Sequence, residues 1–170
     1  MRQLAFVAML LGAIGYAGIR GGSPERLTAG ALVAAALSTR IYAHIRPPNI
    51  GLYSSMEIWV AVIDLALFAA VLAIAITSSR FWPMLMASML GCELFGHLAK
   101  SLGPDILPKA YYVTVAFWGY PTVILLAVAT WRHQVRLKRY GIDYPWVWRL
   151  PRRYRDGWSV DELARASPQP

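Results

Sequence analysis

Hydrophobic and polar positions alternate along this chain on the scale of whole segments. Five apolar stretches, Leu4–Ile19, Leu27–Ala43, Ser54–Thr77, Phe81–Leu102 and Ala110–Trp131, are separated by the polar breaks RGGSPER, RPPN, TSSR and GPDILP. The prolines and glycines in those breaks stop helices. At about 1.5 Å per residue, roughly 20 apolar residues cross a hydrocarbon core of about 30 Å. The pattern therefore predicts an all-α, polytopic transmembrane helix bundle of about five spans, the first two near the short limit. The opening MRQLAFVAMLLGAIGYAGIRGG has the order of a signal peptide, a charge and then an apolar run. No small-x-small site with polar residues after it follows, so a retained first span is expected. The TSSR break predicts a tight hairpin between spans three and four, with Ser79 capping the fourth helix and Pro83 in its first turn. Ala8 with Gly12, and Gly30 with Ala34, are small residues four apart and predict close packing of the first two helices.

Against that background the sequence GCELFGHLAK, at the end of the fourth stretch, is out of place, because Glu93 and His97 cost several kcal/mol each in lipid unless something answers them. Span three offers partners. Counted from the outer boundary, Glu57 lies roughly 5 Å and Asp64 roughly 15 Å deep, with Glu93 roughly 12 Å and His97 roughly 6 Å deep on the antiparallel span four. The depths pair Glu57 with His97 and Asp64 with Glu93. Lys100 lies one turn beyond His97, and Arg40 on span two is the cation expected to grip a carboxylate. Span five adds Tyr112, Trp118 and Tyr120, and Pro121 frees the carbonyl of Phe117 as an acceptor. Arg40, Glu57, Asp64, Glu93, His97, Tyr112 and Tyr120 thus form the expected polar seam.

Such a seam has two readings. Membrane polar groups seek one another, so it can simply fix helix packing. Alternatively, Asp64 and Glu93 at one depth repel if both ionise, so one of them holds a proton, as a proton relay requires. A metal centre is not expected, because the seam holds one histidine and no diagnostic ligand spacing. Haem would need His97 with a methionine or with no second axial ligand, and Met84, Met86 and Met89 read more simply as packing, so no cofactor is expected. Ser54, Ser55 and Ser88 lack a histidine–acid arrangement, and no glycine-rich phosphate loop is present, which leaves no catalytic residues to name.

Composition agrees with the segment pattern. Of 170 residues, 57% are hydrophobic and only 15% charged, too little polar surface for an ordinary soluble domain. The single cysteine, Cys92, excludes an internal disulfide. The net charge of +8 gathers after the last span, which divides the chain into a bundle, residues 1–131, and a basic, aromatic tail, residues 132–170. In the tail Arg132, Arg136, Lys138, Arg139, Arg152 and Arg153 are interleaved with aromatics that include Trp146 and Trp148, a composition suited to anionic headgroups or a partner subunit and not to nucleic acid. The same cluster places the C-terminus in the cytoplasm. SVDELARA, with Ser159 three before Glu162, predicts a capping box and a short terminal helix.

The strings MEIWVAVIDLALFAA, RFWP, FGHLAK and TWRHQVRLKRYG together resemble a loose family of small, uncharacterised multi-pass inner-membrane proteins of proteobacteria, over Leu4 to Gly141. The resemblance implies a bacterial inner-membrane setting and attaches no activity. The expectation is a non-enzymatic structural or accessory subunit of a membrane assembly. A proton- or ion-handling protein built on the seam is the alternative, and a haem or quinone redox subunit the third.

Overall fold

The structure, a computed structural model, describes residues 2–45, 57–103, 105 and 107–149. Among them the chain is all-helical, with five α-helices and no strand. These are α1 (Arg2–Arg20), α2 (Ser23–Ile45), α3 (Ile58–Thr77), α4 (Trp82–Leu102) and α5 (Pro108–Tyr140), with a 3-10 turn at Val147–Arg149. The helices coincide with the five apolar stretches. Two of them, α3 and α5, are long and apolar enough to cross a membrane. The apolar part of α1, Leu4–Arg20, is shorter, and α2 and α4 carry ionisable groups along their length.

Successive helices run antiparallel, and each packs on its neighbour in the chain. The last one, α5, closes back onto α1 and also touches α2, completing a ring. Its middle is filled by Ala17, Ala29, Leu32, Leu67, Val71, Met86, Leu90 and Leu126. The buried small residues of these two helices are Ala13 and Ala17 on α1 and Ala29 on α2. Ala8, Gly12, Gly30 and Ala34, expected at that contact, are exposed, and a Cβ on either glycine would meet nothing. The spacing did not identify the packed face, because Gly and Ala occur on every face of these helices.

The α3–α4 hairpin is as tight as expected, and Pro83 sits in the first turn of α4, where no N–H is missed. Ser79 does not cap that helix. The N-cap is Phe81 without a side-chain bond, and the Ser79 hydroxyl donates instead to the carbonyl of Tyr144. At the other end of the chain α5 runs past Trp131 without a break and stops at Gly141, whose φ of 71° is the left-handed conformation that glycine adopts freely. The chain then turns back, and the backbone N–H of Ser79 donates to the carbonyl of Pro145 at 3.3 Å. The start of the tail is therefore docked on the bundle. The capping box at Ser159, with Arg152 and Arg153, lies outside the described residues.

Candidate functional site: two polar clasps

Polar side chains gather at both ends of the ring. At the end where α3 begins and α4 finishes, His97 is buried and spans two helices: its Nε2 lies 2.9 Å from Asp64 Oδ2 on α3, and its Nδ1 2.6 Å from the Tyr111 hydroxyl on α5. With Asp64 ionised, one tautomer satisfies all three groups. Nε2–H donates to Asp64, and Nδ1 accepts the Tyr111 hydroxyl proton. Tyr42 on α2 donates to Glu57 Oε2 at 2.9 Å, just before α3. Glu93, partly buried, is within Coulombic reach of Asp64. Lys100, only 3% exposed, carries a cation into the same end.

The seam expected from sequence thus assembles in part, with different partners. His97 pairs with Asp64 and not with Glu57, which is held by Tyr42. Arg40 is exposed and takes part in no ion pair among the described residues. The buried cation at this end is instead Lys100, one turn beyond His97 on α4. Tyr112 is adjacent but partly buried, while Tyr120 packs edge-on against Phe6 of α1, ring centroids 4.9 Å apart, and so turns away from the seam. Tyr111 was missed. Counting depth identified the right turn of α5 but not the side of it that faces α4. Phe117 is exposed, and α5 continues through Pro121.

The second clasp, at the opposite end, was not anticipated. Arg80, in the α3–α4 turn, is buried and ion-paired with Glu25 from the first turn of α2. The Trp82 indole N–H donates to the same carboxylate at 3.2 Å. The other arm of Arg80 reaches Asp143 Oδ2 at 2.8 Å, and Asp143 also receives Arg136 Nε at 3.2 Å. His133 Nδ1 lies 2.6 Å from Asp143 Oδ2 and 3.1 Å from the Arg80 guanidinium. Arg80 has no acceptor to offer, and a nitrogen that donates to Asp143 cannot accept from Arg80. The consistent arrangement has His133 Nδ1–H and Arg80 both donating to Asp143. Two guanidinium charges then face two carboxylates, with the His133 imidazole between them.

This clasp had a readable signal. Glu25 and Arg80 sit at matching starts of the parallel spans two and four, and a glycine closing α5 can return the chain toward Arg80. Boundary charges are so common beside membrane helices that the pair did not stand out.

Between the clasps lies the apolar layer of Leu32, Leu67, Val71, Met86, Leu90 and Leu126. No group of three or more His, Cys, Asp or Glu among the described residues is arranged to hold a metal ion. A groove of about 460 Å³ between α3 and α4 is lined chiefly by apolar side chains such as Phe68, Leu72, Met84 and Phe95, away from both clasps. No family model, curated protein or solved structure matches the chain.

Proposed function

We propose that the chain is a five-span protein of a bacterial inner membrane, with its C-terminus in the cytoplasm, and that it serves as a non-enzymatic structural or accessory subunit of a membrane assembly. One observation carries this reading: the buried ion pairs lie in two clasps, and a layer of buried aliphatic side chains divides them. Transport of protons or ions needs continuous polar or wet groups, and Leu67, Val71, Met86 and Leu126 interrupt any such path. Paired polar groups between helices fix which faces meet. Large apolar side chains, such as Leu11, Leu37, Leu65, Phe95 and Ile124, are exposed on all five helices, which suits surroundings of lipid or other subunits.

Proton handling is the second reading, supported by the Tyr111–His97–Asp64 chain beside Glu93. Vesicles containing the protein and a lumenal pH dye separate the two. The structural role expects an external acid step to reach the lumen no faster than in empty vesicles. A faster entry that His97→Phe abolishes would replace it with the proton-handling role.

A further inference from the structure

Resting on the membrane reading above, we propose that the Arg80 end of the ring is a binding face for the headgroups of anionic phospholipids, centred on the corner between α1 and α5. Among the described residues, the carboxylates at this end are Glu25 and Asp143, and both are turned inward onto Arg80, His133 and Arg136. Among the described residues, the clasp therefore takes up the negative charge that would offset the exposed cations of the same end, Arg20, Arg26, Arg132, Lys138 and Arg139.

The corner is defined by a tie between helices. The Gln134 side-chain amide donates to the carbonyl of Arg20 and holds the last turn of α1 against α5. Trp131 lies about one turn before Gln134 and Lys138 one turn beyond it, on the same face. Trp131 and Lys138 are both exposed. Arg20 and Lys138 thus flank one point from two helices, at the depth where α1 ends. A guanidinium gives paired N–H donors to phosphate oxygens and an ammonium adds a compact charge. Tryptophan prefers the same interfacial level.

Free phosphate offers the same anionic oxygens, but the surroundings favour a lipid. Ile19, Val128 and Trp131 are exposed on the membrane side of the two cations and form an apolar track for an acyl chain. Arg136, grouped by sequence with the lipid-facing tail, is committed to Asp143 and contributes little to this face.

The test is native mass spectrometry of the full chain, released from detergent in the presence of equal amounts of phosphatidylglycerol and phosphatidylcholine. Wild type should retain phosphatidylglycerol preferentially. With an interfacial cation worth about fivefold in affinity for anionic lipid, Arg20→Gln with Lys138→Gln should lower that preference at least tenfold. The charge-keeping pair Arg20→Lys and Lys138→Arg should keep it, and so should Lys109→Gln at the opposite end. Equal preference in wild type and the Gln pair would overturn the headgroup site, as would displacement of the bound lipid by millimolar inorganic phosphate. Alkaline carbonate extraction of cell membranes separates the two levels: release of the chain would overturn the membrane reading and the site together, while retention with unchanged lipid preference would overturn the site alone.

Discussion

Arg80 joins Glu25 of α2 to Asp143 beyond α5 from a turn between α3 and α4. Replacing it by methionine keeps much of the volume but leaves both carboxylates buried without their main cation. Breaking a buried pair in this way costs about 3 to 5 kcal/mol, so Arg80→Met should lower the thermal unfolding midpoint in detergent markedly. Arg26, exposed one position from Glu25, is the control, and Arg26→Gln should leave the midpoint within a degree or two of wild type, in keeping with surface changes of about 0.5 kcal/mol or less. Glu93 calls for a paired comparison. Glu93→Gln preserves shape and hydrogen bonding and should track wild type in thermal stability. Glu93→Leu places an apolar side chain beside Asp64 and His97 and should destabilise by about 1 to 3 kcal/mol. Equal stability of both variants would mean that Glu93 takes no part in packing. At this scale the chain was legible where a residue contradicted its surroundings. Asp64, Glu93 and His97 stand out inside apolar runs, whereas Glu25 and Arg80 occupy helix boundaries where charge is ordinary. Tyr111 and Tyr112 differ by 100° of helical phase, which needs knowledge of the neighbouring helix to resolve.

The elements were far easier to read than their partners, because long apolar runs closed by Gly and Pro leave little choice of secondary structure. What the runs do not show is where a helix stops once it has left the apolar region. The last helix continues through the basic exit to Tyr140, and Gly141 ends it in the left-handed conformation, with its N–H donating to Leu137 at 2.9 Å. A Cβ at Gly141 would touch nothing, so Gly141→Ala isolates backbone strain and should cost about 1 kcal/mol, read as a small fall in unfolding midpoint. Truncation provides the larger test of this element. A chain ending at Trp148 retains Asp143 and the main-chain bonds to Ser79 and should unfold near the wild-type temperature. One ending at Tyr140 strands Arg80, His133 and Arg136 and should unfold well below it. Equal midpoints for the two truncations would show that the docked segment does not hold the bundle together. The stacked indoles of Trp146 and Trp148, with centroids 5.1 Å apart, lie just past that dock.

For the whole molecule, orientation follows from which charges remain outside once the clasps have formed. Counted from sequence, the short loops divide their cations evenly between the two ends, with Arg20, Arg26 and Arg80 against Arg46, Lys100 and Lys109. Burial changes that balance. Arg80 and Lys100 are both inside the ring and have no part in orienting it, as exposures of only 7% and 3% show. Of the cations described at the Arg80 end, Arg20, Arg26, Arg132, Lys138 and Arg139 stay exposed; the other end retains Arg40 and Lys109. Positive charge near span ends is kept in the cytoplasm, so the Arg80 end should face inward and the α4–α5 connection outward. Cysteines placed singly at Asp105 and Tyr140, both exposed, test this in a Cys92→Ser background. A membrane-impermeant maleimide added to intact spheroplasts should modify position 105 and reach position 140 only after lysis. The reverse pattern would invert the protein in the membrane. Labelling of both positions from outside would be incompatible with α5 crossing the bilayer, and with it the five-span reading would fall.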